Sequence, residues 1–136
     1  MADSSQPVPV TATIPAEDID QFDALVIGAG VTGLYSLYRL RQLGLSAQAF
    51  EEGGGVGGTW YWNRSPGCRF DSESYTYGYS FSDELLQEWD WKEHYSGQPE
   101  NERHPNYVDD KFHFQPTIRP NSRSTATTFH EDYTSS

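Results

Sequence analysis

The segment Gly28-Ala29-Gly30-Val31-Thr32-Gly33 constrains this chain more than any other, because three glycines at this spacing serve one kind of backbone corner. It follows Ala24-Leu25-Val26-Ile27, a short apolar run that reads as a strand buried on both faces. After it, Leu34, Leu37 and Leu40 recur at helical spacing on one face. Gly44 stands where a left-handed helix cap is favoured. Ser46 to Phe50 reads as a second strand, ending in Glu51-Glu52. From Asp23 to Glu51 the chain has the length of one βαβ unit, about 30 residues. The fold class is therefore α/β, of the Rossmann type.

Each glycine has its own physical task. Gly28 permits the tight turn out of the strand, and Gly30 leaves the backbone bare so that a pyrophosphate can approach. Gly33 lets the helix pack close to the strand. A helix starting at Val31 directs its free amides and the positive end of its dipole at that pyrophosphate. Glu51, at the end of the second strand, is placed to accept hydrogen bonds from ribose hydroxyls, and its charge would repel a 2′-phosphate. The pattern predicts a dinucleotide site at Gly28, Ala29, Gly30, Gly33 and Glu51 that disfavours NADP. It does not separate FAD from NAD.

Charge narrows the partners. With 9 basic and 20 acidic residues the net charge is −11, which argues against nucleic acid and anionic membranes. Met1 to Gln21 contains four acids and no Lys or Arg, unlike a signal or mitochondrial leader, and no apolar run spans a bilayer. A cytoplasmic protein is the expectation. Cys68 is the only cysteine, which excludes an internal disulfide and reads as a half-buried thiol. Only 25 of the 136 residues are Leu, Ile, Val or Phe, a share typical of disordered chains, yet 15% are aromatic, which is not. The balance predicts one small, aromatic-rich, incompletely cored domain.

Three prolines among Ser, Thr and acids mark residues 1–21 as a flexible arm. From Trp60 to Tyr95 lie 11 of the 20 aromatics without helical or strand period, predicting an aromatic-rich loop with one short helix capped by Ser82. Glu100 to Phe112 reads as a helix that breaks or starts late at Pro105. Ser124 to Phe129 is a weak strand candidate. His94, His104, His113 and His130 lack metal-ligand spacing and read as solvated, as do Asp109-Asp110 and Glu131-Asp132. No metal site and no catalytic residue is assigned.

Beyond Glu51 the sequence reads Val56-Gly57-Gly58-Thr59-Trp60-Tyr61-Trp62-Asn63, then Pro66-Gly67-Cys68-Arg69-Phe70-Asp71-Ser72-Glu73-Ser74, with Tyr77 and Tyr79-Ser80-Phe81 following. Glu88-Trp89-Asp90-Trp91, Gln98-Pro99-Glu100 and Asn106-Tyr107-Val108 continue the same register. From about Phe22 to Asp132 this resembles the N-terminal part of the Baeyer–Villiger monooxygenases, flavoproteins that use FAD and NADPH to insert oxygen next to a ketone. The resemblance implies FAD contacts at the Gly28–Gly33 turn, Glu51, Thr59, Trp60, Tyr61, Trp62, Asp71 and Tyr77. It also puts Arg69 and Asp71 on the nicotinamide side of the flavin, and Ser124 where backbone meets adenine. Trp60 and Trp62 suit the wall of a flat apolar ring, whereas Trp89 and Trp91 read as core.

Ser65, Pro105, Pro120 and Ser124 depart from the family pattern, mostly after residue 100. The resemblance makes residues 22–132 a partial FAD-binding domain and 133–136 a tail. It ends before the family's NADPH-binding unit. The expectation is thus a truncated fragment of an FAD-binding monooxygenase, acting on a small ketone only with a complementing C-terminal polypeptide. The alternative is a non-catalytic flavin-binding or interaction remnant. An NAD-linked dehydrogenase fits the Gly57-Gly58-Thr59-Trp60 segment poorly.

Overall fold

The computed structural model describes residues 20–130; the expected N-terminal arm through residue 19, the Glu131-Asp132 pair and the tail lie outside them. Strand β1 (Ala24–Ile27) leads through Gly28–Gly30 into helix α1 (Val31–Gln42) and back to strand β2 (Ala47–Phe50). The two strands pair in parallel, Ala24 opposite Ala47 and Ile27 opposite Phe50. Their starts are clamped by Asp23, whose carboxylate accepts both the Ser46 amide and hydroxyl at 2.7 Å. Helix α1 ends as its glycine predicts: Gly44 takes φ +73°, while the Gly44 and Leu45 amides bond the Arg41 and Leu40 carbonyls.

Three short helices follow, α2 (Thr59–Trp62), α3 (Ser74–Tyr77) and α4 (Asp83–Glu88), where one was expected. The Ser82 hydroxyl accepts the Leu85 amide at 3.2 Å, the predicted cap of α4. Helix α5 (Gln98–Phe112) then returns across α1 and α2. A 3-10 turn at Gln115–Thr117 leads into the two-residue strand β3 (Ile118–Arg119), parallel to β2, giving the sheet order β1-β2-β3. The core lies between sheet, α1 and α5, and centres on Leu34, Leu37, Ala49, Val108, Phe114 and Ile118. Among the described residues no helix is long and apolar enough to cross a membrane.

Five further expectations need correction. β1 is not buried on both faces: Leu25 and Ile27 are 59% and 61% exposed, because the described residues cover only the face that carries Ala24 and Val26. Helix α5 runs unbroken through Pro105 and begins earlier, at Gln98. Proline's fixed φ suits a helix; it forfeits the bond to the Asn101 carbonyl and crowds that carbonyl with its ring, while the buried ring packs toward Gly57. Ser124 to Phe129 forms no strand; β3 stops immediately before Pro120, which has no amide to donate, and the following residues are mostly exposed. Asp109 is not solvated but 7% exposed, and burial raises its carboxyl pKa.

His104 is the fifth correction. It is 3% exposed, with its ring against Tyr79, Trp89 and Trp91 at 4.9–5.7 Å between centroids. Burial pushes its pKa down from 6.5 to about 4, against a smaller opposing pull from Glu100. The folded chain therefore holds this imidazole neutral where the unfolded chain protonates it. That stability is present in full above pH 6.5 and is lost as the pH falls toward 4, by up to about 3 kcal/mol. Asp109, raised by burial, acts in the opposite sense. Urea unfolding of the wild type and of His104→Phe at pH 7 and pH 5 separates the two, since the carboxylates are common to both. The wild type should lose more stability than the variant over this interval; parallel losses would show that the histidine is not the cause.

Candidate functional site: a groove across the strand ends

The corner between β1 and α1 carries the site. Gly28 turns the chain at φ +93°, a conformation that side chains resist. Gly33 lies so close beneath it that a Cβ there would meet the Gly28 carbonyl oxygen at 2.1 Å. Gly30 faces a second glycine turn, where a Cβ on Gly58 would meet the Gly30 Cα at 3.0 Å. The Gly57 amide bonds the Ala29 carbonyl at 3.1 Å and holds the two turns together. Two bare backbones thus form the walls of a narrow cleft.

The first amides of α1, at Val31, Thr32 and Gly33, make no hydrogen bond within the described residues, and Gly30 offers no side-chain cap. They sit in a cleft of about 370 Å³ lined by Ile27, Gly28, Gly30, Val31, Thr32 and Gly33 on one side and by Gly57, Gly58, Thr59 and Tyr77 on the other. Arg39 and Arg41 lie at the opposite end of the helix and complement its dipole, leaving the positive end facing the cleft. Such a cleft accepts an anion through backbone donors rather than through basic side chains.

Glu51 fixes the other side. Its carboxylate is buried at 5% exposure and bridges the corner: Oε2 accepts the Ala29 amide and Oε1 the Gly53 amide, both at 2.7 Å. Each oxygen keeps a further lone-pair direction for a hydroxyl donor. A second cavity of about 240 Å³ opens beside it, lined by Phe50, Glu51, Glu52, Trp62 and Ser122–Ser124. This cavity shares Ile27 and Gly28 with the first. The two form one groove across the C-terminal ends of β1 and β2, the place where open α/β sheets take ligands.

Residues 26–89 match the family described as NAD(P)-binding Rossmann-like domain. Acetone monooxygenase (methyl acetate-forming) of Gordonia sp. strain TY-5 is 49% identical over 110 residues, covering 81% of this chain and 21% of the relative. A Baeyer–Villiger monooxygenase of Pseudooceanicola batsensis is 48% identical over 101 residues, covering 74% of this chain and 18% of the relative. The crystal structure of OTEMO in complex with FAD and NADP superposes with a TM-score of 0.77 at 46% identity, covering 82% of this chain and 21% of that one. The chain corresponds to the N-terminal part of the Baeyer–Villiger monooxygenases. It spans about a fifth of the length of these relatives.

Placed on this Baeyer–Villiger N-terminal part, the residues singled out in the sequence separate into three groups. Gly28, Gly30, Gly33, Thr59 and Tyr77 line the first cleft, and Glu51, Trp62 and Ser124 the second. Ala29, Trp60 and Tyr61 stand behind the groove. Ala29 is fully buried; Trp60, 6% exposed, donates its indole N–H to the Tyr77 hydroxyl at 2.8 Å and packs edge-on against Phe70. Trp60 is thus a strut for Tyr77, while Trp62 is 59% exposed. Tyr61 props the glycine loop: its hydroxyl accepts the Gly54 amide at 2.9 Å, and a Cβ on Gly53 would meet its ring at 2.7 Å. Arg69 and Asp71 line neither half; Arg69 bonds Glu93 and the Tyr95 carbonyl at 3.0 and 2.7 Å.

Sequence reasoning passed over Gly57 and Gly58 as lining residues, and over Ser122 and Arg123. The glycine cluster carried a usable signal for the first pair. Ser122 carried none: its place follows from its amide bond to the Glu51 carbonyl at 2.8 Å, a contact between distant parts of the chain. Among the described residues no cluster of His, Cys, Asp and Glu is arranged to hold a metal ion.

Proposed function

We propose that this chain is the FAD-holding N-terminal part of a Baeyer–Villiger type monooxygenase. The observation that carries the reading is the buried Glu51 carboxylate, 2.7 Å from the Ala29 amide of the glycine corner. That position puts a ribose acceptor and a pyrophosphate cradle within one adenosine diphosphate length. The free amides of Val31, Thr32 and Gly33 would hold the diphosphate, Glu51 the ribose hydroxyls, and the Ser122–Ser124 backbone the adenine edge. Thr59, Trp62 and Tyr77 would border the path toward the flavin ring. Glu51 would repel a 2′-phosphate, so the groove suits FAD and not NADPH.

Bound FAD, reduced by NADPH, supplies the electrons with which O₂ is activated for insertion next to the carbonyl of a small ketone. This chain's own part is to bind and orient the cofactor. Its groove is open, and among the described residues β1 has an unpaired edge beside the exposed Leu25 and Ile27. An open site cannot exclude water from a reactive centre. We place a complementing C-terminal polypeptide on that edge, bringing the NADPH site and the ketone pocket.

The test is NADPH consumption with and without such a partner. The purified chain supplied with FAD should show no ketone-stimulated NADPH oxidation. Co-expression with the C-terminal remainder of a relative should restore it together with a yellow flavin spectrum. Stoichiometric, ketone-dependent oxidation by the chain alone would overturn the division of labour.

A further inference from the structure

A cavity of about 520 Å³ lies on the other side of α3 from the groove. Tyr77 faces the groove, whereas Ser74 and Tyr75 line this cavity, and the two share no lining residue. Its walls are Leu85, Leu86, Trp89, Trp91 and His104. Its volume is that of a small-molecule site.

Ser74 and Tyr75 spend their hydroxyls on Glu93, His94 and Glu73, but the ring nitrogens of Trp89 and His104 are matched by no described residue. His104 is 3% exposed, and no hydrogen bond reaches its imidazole from the described residues. The Trp89 indole N–H is buried with no acceptor among the described residues. Leaving a buried donor such as this indole unmatched costs about 1–3 kcal/mol, and few native buried groups are left so. By contrast the groups at the rim are matched: Lys92 with Asp90 at 2.7 Å, Glu93 with Arg69 at 3.0 Å, and the His94 Nε2 with a Glu73 carboxylate oxygen at 3.0 Å. Nothing at the rim selects an ion. The neutral imidazole offers one donor and one acceptor, and the indole a donor only. Flat aromatic walls select a ring.

From this, and independently of the dinucleotide reading, we infer that the Trp89–Trp91–His104 cavity binds an uncharged aromatic molecule carrying an acceptor oxygen. Acetophenone is the probe, titrated into the ¹⁵N-labelled 136-residue chain while the four indole N–H signals are followed. The Trp89 signal should shift saturably, with the exposed Trp62 signal and the Gly28–Gly33 amides unmoved. Trp89→Phe, which keeps the ring and removes the donor, should weaken binding about tenfold. Isopropylbenzene, of the same shape without the oxygen, should bind at least tenfold more weakly to the wild type. Equal affinity for the two probes, unsaturable shifts spread over all four indoles, or a collapsed indole spectrum showing that this chain does not build the cavity would each overturn the inference.

Discussion

Gly33→Ala should unfold the chain or leave it without its βαβ corner. The added methyl carbon would sit 2.1 Å from the Gly28 carbonyl oxygen and 3.0 Å from the carbon behind it. Both are backbone atoms of a turn already held at φ +93° and tied through the Gly28 amide to the Phe50 carbonyl at 2.8 Å. No side chain can swing aside to relieve the overlap. The helix must move off the strand, which breaks the contact of Leu34 and Leu37 with the sheet. Overpacking of this kind costs about 3 kcal/mol or more, a large part of the stability of so small a domain. Gly44→Ala is the control, since φ there is +73° but no described residue has an atom within 4 Å of the added carbon. It should cost about 1 kcal/mol. Urea titrations followed by far-UV circular dichroism distinguish them; equal stability of the two variants would mean the corner is looser than described.

Glu51→Ala should be nearly as damaging, for an electrostatic rather than a steric reason. Removing the carboxylate leaves the Ala29 and Gly53 amides without acceptors in a region that water reaches poorly. Two buried donors left unpaired cost roughly 2–5 kcal/mol together. Glu51→Gln retains one acceptor but turns a donor toward one of the two amides, so it should fall between wild type and Glu51→Ala. The same order, measured by thermal unfolding without any ligand, would show that this residue builds the groove as well as lining it. If Glu51→Ala unfolds at the wild-type temperature, the bridge is not structural.

The corner was legible because its requirements are local: three glycines, a preceding apolar run and an acid after the second strand leave one arrangement. Cap chemistry at Ser82 and Gly44 was local too, and the structure has both. What the sequence hid depends on contacts made far along the chain. Pro105 looked like a helix breaker because its cost is local, while its compensation, packing toward Gly57, is not. His104 looked solvated because no neighbour in sequence announces that Tyr79, Trp89 and Trp91 will close over it. The run Ala24–Ile27 reads as doubly buried, yet the described residues cover only one of its faces. Trp60 invited assignment as a ring wall, but its indole is committed to Tyr77.

An adenine dinucleotide should lie with its diphosphate over Gly28–Gly33 and its ribose on Glu51. Titration of FAD into the purified chain, read by the change in flavin fluorescence, tests it most directly. Binding should saturate at one FAD per chain, with displacement by ADP and much weaker displacement by 2′-phospho-ADP. A signal that never saturates, or one displaced equally well by both nucleotides, would contradict it.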